Sequence, residues 1–227
     1  MADKSILFSG PMVRALLAGT KTQTRRILKP QPELQGNGLY HVSGAGGGIV
    51  NVAESDIGAT AVDYLRIGVG DWLWVRETWS ARMVHGWTIA DARSGMYQTE
   101  LIYQADGDKS IDGWWPSIHM PREFSRLTLT VTEVRVEGLN ECTADDALGE
   151  GVSSTSHWRP KDVEGKRFED KWWDDFTFWS EYPQIAYREL WDTINGPGSW
   201  DANPWVAAYT FTVERRNIDQ LASESNG

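Results

Sequence analysis

The densest cluster of reactive side chains is Ala18-Gly19-Thr20-Lys21-Thr22-Gln23-Thr24-Arg25-Arg26. It brings a lysine, several threonines and two arginines to one corner. A threonine hydroxyl becomes a useful nucleophile only when a neighbouring base takes its proton. Lys21 can be that base only when neutral, and an exposed lysine, with a pKa of ~10.4, is almost wholly protonated at pH 7. Burial and the guanidinium groups of Arg25 and Arg26 push that value down. Extended backbone points residues 21 and 24 to opposite faces. Joint action therefore requires Lys21 to sit in a turn after Gly19, with only Thr24 on regular strand; glycine permits the positive φ of such a turn. Thr22 is the nearest substitute nucleophile. The same residues also describe an ordinary solvated polar strand. The Gly-x-x-x-x-Gly-Lys spacing of a phosphate loop is absent.

Other candidates are sparser. Arg76-Glu77 follows an apolar run and reads either as the mouth of a site or as an ion pair. Trp79 reads as a stacking surface for a base or as core. His119, between apolar residues and near Arg122, reads as structural. Cys142 lacks a partner and reads as inert. Asp106 and Asp108 flank Gly107 in a turn, but two carboxylates do not make a calcium loop. Asp174-Asp175 reads as solvated. No Cys/His cluster has zinc spacing, and a single cysteine forms no internal disulfide. No metal or cofactor is expected, and a reducing cytoplasm is the expected address.

Charge separates along the chain. The 227 residues carry a net charge of −10, yet residues 4–32 hold six Lys or Arg and no acid, which leaves −16 elsewhere. So acidic a chain is a poor general binder of nucleic acid, because phosphate contacts dominate that affinity; a local basic site can still hold a small ligand or a short backbone stretch. Hydrophobic residues at 41% exclude a disordered chain. No apolar run reaches the ~18 residues of a membrane span, and no basic segment leads into an apolar one as in a secretory signal. The 13 tryptophans read chiefly as core and loop anchors, with one or two as an alternative stacking wall.

The positioning elements are short. Ser5 to Phe8 predicts a strand. Pro11 opens a helix with Met12, Val13, Leu16 and Leu17 on its apolar face, and Gly19 ends it. Thr20 to Leu28 predicts a turn running into a strand. Residues 29–64 read as a long, partly mobile excursion. Trp72 to Trp79 is apolar on both faces, so a central strand is expected. Glu100 to Ala105 predicts another strand. Leu127, Leu129 and Val131 alternate with threonines before the pattern flips to Val134 and Val136, which predicts a bulge near Thr132-Glu133. Thr143 caps a short helix ending at Gly151. Residues 153–180 look inserted. Tyr187, Leu190, Trp191 and Ile194 have helical spacing, and Trp205 to Val213 alternates. A polar, frayed tail is expected over 217–227. Strands outnumber helices, and a small β-barrel decorated by helices and long loops fits this pattern.

Leu17-Ala18-Gly19-x-Lys21-Thr22-x-Thr24-x-Arg26 resembles the signature of the ASCH family, a PUA-like superfamily. It is most similar to that of the small bacterial N4-acetylcytidine amidohydrolases. Gly70-Asp71-x-Leu73-x-Val75 and Asp146-Ala147-Leu148-Gly149-Glu150 resemble two further family blocks. Three longer features (Trp74-Val75-Arg76-Glu77-Thr78-Trp79, Pro116-Ser117-Ile118-His119-Met120-Pro121-Arg122 and Trp200-Asp201-Ala202-Asn203-Pro204-Trp205) resemble a longer ASCH-like group of phages and prophages. The resemblance implies an α+β, PUA-like mixed β-barrel. It implies one domain over 1–216, with insertions near 30–66 and 153–180. It also implies metal-independent removal of the acyl group from N4-acylated cytosine nucleosides or bases. Thr24 would be the nucleophile, Lys21 the base and Glu150 their assistant, with Arg26, Arg76, Glu77 and Trp79 around the substrate. The alternatives are a PUA-like module gripping RNA or DNA, with Lys21, Arg25 and Arg26 on phosphates, and a phage accessory protein without catalysis.

Overall fold

A computed structural model describes residues 3–43, 48–81, 88–94, 100–107, 113–152 and 183–225. The segment 153–180, expected as an insertion, lies outside them, as do Asp108 and Asp174-Asp175. The fold is α+β, with strand order β1 (Asp3–Leu7), β6 (Trp72–Arg76), β9 (Thr128–Gly138), β10 (Trp205–Glu214), β2 (Gln23–Ile27) in the principal sheet and two smaller sheets, β3 (Glu33–Leu34) with β4 (Tyr40–Ser43) and β5 (Ile49–Val52), and β7 (Trp79–Ala81) with β8 (Leu101–Tyr103). Both ends of the principal sheet are open edges, so the described strands form no closed barrel. The expected barrel gives way to open sheets. The chain divides into two compact units, 1–18 with 71–130 and 213–227, and 19–70 with 131–212.

In the first unit, β1 (Asp3–Leu7) runs parallel to β6 (Trp72–Arg76), and β6 pairs antiparallel with the start of β9 (Thr128–Gly138). β6 is therefore internal, and Leu73, Val75, Leu127 and Leu129 are buried there. Helix α1 (Gly10–Ala18) buries Val13 and Leu16 and stops at Gly19, whose φ of 75° is left-handed. The strand expected over 72–79 breaks at Glu77. There the Glu77 N–H donates to Met120 Sδ, and Thr78 O accepts from Gln104 N. The chain resumes as β7 (Trp79–Ala81), paired with β8 (Leu101–Tyr103). Trp79, Ala81 and Met120 pack there with Ala92 of α3 (Ile89–Arg93). The tail does not fray at once: it forms a helix over Ile218–Ser225. Buried Ile218 anchors it, and Asn217 donates to the carbonyls of Arg122 and Ser125 while its Oδ1 accepts from Asp219 N.

In the second unit, β2 (Gln23–Ile27) pairs antiparallel with β10 (Trp205–Glu214), with Thr24 opposite Tyr209 and Arg26 opposite Ala207. Helix α4 (Ala144–Gly149) and helix α5 (Pro183–Asn195) enclose a core of Leu139, Cys142, Ala147, Tyr187, Trp191 and Val206. Thr143 caps α4 reciprocally with Asp146, as its residue type predicts. The described residues of 30–66 hold regular elements as well as loops. β3 (Glu33–Leu34), β4 (Tyr40–Ser43) and β5 (Ile49–Val52) form a meander beside α2 (Ile57–Val62). Buried Val42, Ile57 and Ala61 supply the apolar anchors that its glycines and prolines obscure. On β9, Thr132 and Glu133 are both exposed, where the alternation changes phase. No described helix is long and apolar enough to cross a membrane.

Candidate functional site

Gly19 turns the chain so that Lys21 forms an isolated antiparallel bridge with Glu150, the C-cap of α4. Thr22 N donates to Gly149 O at 2.8 Å. Gly149 allows this close approach: a Cβ there would sit 3.3 Å from Gln23 Cβ. The Lys21 Nζ donates to Glu150 Oε2 at 2.8 Å and to Glu150 O at 2.9 Å. Lys21 is 0% exposed and Glu150 5%.

Alternation along β2 places Gln23 and Arg25 beside this pair. Arg25 Nη1 donates to Gln23 Oε1 at 2.6 Å and to Glu150 Oε1 at 3.3 Å, and Arg25 Nη2 donates to Glu137 Oε1 at 2.8 Å. Arg25 Nη2 also lies 3.2 Å from Asp146 Oδ2, while Arg135 donates to Asp146 Oδ1 at 2.7 Å. Lys21, Arg25 and Arg135 thus balance Glu150, Glu137 and Asp146. Such a network offsets the desolvation that makes an isolated buried charge so costly.

Burial pushes the Lys21 amine below the ordinary lysine range; Glu150 opposes that shift, and Arg26 and Arg25 reinforce it. Burial also raises the Tyr187 phenol well above its usual value, with Glu150 adding to the effect. Burial pushes the Cys142 thiol up to about 12, although Arg25 pulls it down, so this cysteine is a poor nucleophile.

Thr24 faces the other way. It is 3% exposed and sits opposite Tyr209. The alternation that aims Gln23 and Arg25 at Glu150 aims Thr24 and Arg26 at the opposite face. No described residue hydrogen-bonds its hydroxyl. Lys21 and Glu150 are thus brought together, and Thr24 is not brought to the same face. Exposed Arg26 lies at the rim of an open cleft of about 250 Å³ with Lys29, Tyr64, Arg66 and Tyr209. Burial pushes the Tyr209 phenol up to about 12, with Arg26 pulling against it, so it is neutral near pH 7.

The remaining expected site residues belong to the first unit. Glu77 is buried and held by Arg126 at 2.9 and 3.0 Å, and Arg126 also bonds Asp106. Burial raises the Glu77 carboxyl while Arg126 lowers it and Asp106 raises it. Arg76 donates to Ser117 O at 3.1 Å and lies over the Trp74 ring. Trp79 is fully buried, with ring centroids 4.6 Å from Trp115 and 5.1 Å from Phe124. Its position is that of a core residue, with no face left for a base.

Glu137, Asp146, Arg135 and Tyr187 were not singled out from sequence as site residues with Lys21, and Arg25 was read there as a neighbouring cation or a phosphate contact, not as the partner of Glu150. Their signal was periodic: Lys21, Gln23 and Arg25 at strand spacing, Arg135 and Glu137 likewise, and Asp146 and Glu150 one helical turn apart. Comparisons with protein-family models, curated proteins and solved structures found no match to this chain.

Proposed function

We propose that this chain is an ASCH-like, PUA-related domain that binds a nucleobase-bearing anion, a nucleotide or a short single-stranded nucleic acid, at the Arg26–Lys29 end of β2. The lining of the cleft on the Arg26 face carries this reading. Among the described residues it contains Arg26, Lys29 and Arg66 and no carboxylate, in a chain of net charge −10. Guanidinium groups bind phosphate oxygens in pairs, and half-buried Tyr64 offers a flat surface for a base. The acidic remainder of the chain repels a long polyanion and favours a short ligand. Lys21 and Arg25 meet the buried carboxylates, whereas Arg26, Lys29 and Arg66 line the cleft. Fluorescence anisotropy of a labelled pentacytidylate tests this. Binding at low salt that weakens with added salt supports it, and no binding at millimolar protein rejects it.

A second reading is favoured by one distance, the 2.8 Å between Lys21 Nζ and Glu150 Oε2 at positions matching the amidohydrolase motif. Here the chain removes the acyl group from N4-acylated cytosine nucleosides or bases. Thr24 Oγ attacks the amide carbonyl carbon and its proton passes to the Lys21 amine. The C–N bond breaks as Lys21 returns that proton to the leaving amino group, and water then hydrolyses the acyl-threonine. This route requires Lys21 to reach the Thr24 face of β2, and for that reason it stands second. Release of cytidine from N4-acetylcytidine, surviving chelation and lost in Thr24→Ala and Lys21→Ala, establishes it. No release by the wild-type protein excludes it.

A further inference from the structure

A second cleft lies across β2 from the first. Its volume is about 230 Å³, and its lining includes Ile27, Lys29, Tyr187, Trp191, Ile194 and Asn195, again with no carboxylate among the described residues. Arg25 backs its wall with a fully buried, ion-paired side chain. The two clefts share Arg26, Ile27 and Lys29. One opens on the face of Tyr209, the other on the face of Tyr187, and the C-terminal end of β2 is the rib between them. β2 is also an edge of its sheet. Leu28 N donates to Trp205 O, so by antiparallel alternation the peptide groups of Arg25 and Ile27 face away from β10.

We infer that both clefts act together on one ligand. The ligand is a dinucleotide step of single-stranded nucleic acid laid across the edge of β2, with one base in each cleft and the linking phosphodiester on Arg26 and Lys29. This deepens the binding reading and rests on it. Each cleft falls below the ~300 Å³ at which sites for drug-sized ligands begin, so each suits one ring system. Their shared cationic rib suits the one charge that links two bases. Ile194 is 54% exposed and offers an apolar seat in the second cleft, and the Asn195 amide both donates and accepts toward a base edge. Outward peptide groups of an edge strand supply further donors and acceptors. Bases splayed to two sides of a strand exclude a duplex.

The test compares cytidine 5′-monophosphate with the dinucleoside monophosphates CpC and dCpdC on the full chain, by calorimetry at low salt. CpC carries less phosphate charge than the monophosphate, so charge alone predicts weaker binding. Two cooperating clefts predict at least about tenfold tighter binding of the dinucleotide, within the range of one stacked base. Ile194→Glu, at an exposed position, is expected to bring the two ligands within about twofold. An advantage for either dinucleotide supports the inference, and the tighter of CpC and dCpdC identifies the sugar. Equal affinity of monophosphate and dinucleotide overturns the two-cleft inference and leaves the single-cleft reading standing. No binding of any of the three overturns both.

Discussion

The two faces of β2 have different surroundings. On one, Gln23 and Arg25 join Lys21 in a buried network in which every cation meets a carboxylate. On the other, Thr24 stands opposite Tyr209, and Arg26 opens onto a cleft that Lys29 and Arg66 also line, with no carboxylate among its described lining residues. A motif that reads as one reactive cluster is thus divided by a period of two into a frame and a grip. Basic residues adjacent in sequence need not share a task, and burial with partners decides which does which.

The largest effects should come from breaking the frame. Lys21→Met leaves Glu150 with fewer partners in a buried site, and loss of one member of such a pair typically costs ~3–5 kcal/mol. Chemical denaturation of Lys21→Met, and of Lys21→Met with Glu150→Leu, measures this. The double variant is expected to recover much of the loss. No loss in Lys21→Met, or a double variant less stable than Lys21→Met, would mean that the pair contributes little. A core truncation of similar size is expected in the first unit, where Trp79→Ala removes a fully buried ring at ~3–5 kcal/mol. Unchanged stability there would mean that Trp79 is not packed as described.

The grip should break without the frame. Lys29 is exposed, so Lys29→Glu is expected to shift stability by less than ~0.5 kcal/mol, as surface changes do. It should weaken oligonucleotide binding at least about tenfold through one reversed charge near the phosphate. A melting curve beside the anisotropy titration separates the two effects.

The smallest expected effect is on acid stability and contrasts the two units. Burial raises the Asp146 carboxyl, but hydrogen bonds from Arg135, Thr143 and Gln23 outweigh it and hold the group well below the usual range. Its contribution is therefore present above the unfolded value of ~3.9 and lost as pH falls through the lower folded value. Glu77 has the opposite sign: its folded value is raised, so its contribution is present below the ordinary glutamate value and lost as pH rises through the folded one. Arg135→Ala should move acid unfolding to higher pH. An unchanged acid midpoint would show that Arg135 does not set the Asp146 carboxyl.

Much of the frame was legible in the sequence. The turn at Gly19 and the capped helix at Thr143 follow from residue types, and a Glu150 close to Lys21 is what the resemblance to the ASCH signature implies. The alternation rule also warned that residues 21 and 24 diverge on extended backbone, and β2 is extended from Gln23. The meander at residues 33–52 was not legible, because short strands with few apolar anchors give no period. The C-terminal helix was hidden by polar composition, since one buried isoleucine and one capping asparagine suffice to dock it. Open sheets in place of a barrel depend on which edges stay unpaired, which strand patterns do not encode.

The division of β2 into frame and grip is tested most directly by the affinity of Lys29→Glu for pentacytidylate, measured beside the wild type at a temperature where both melting curves show a folded protein. At least about tenfold weaker binding at unchanged melting temperature is the predicted result. Equal affinity of the two proteins would contradict it.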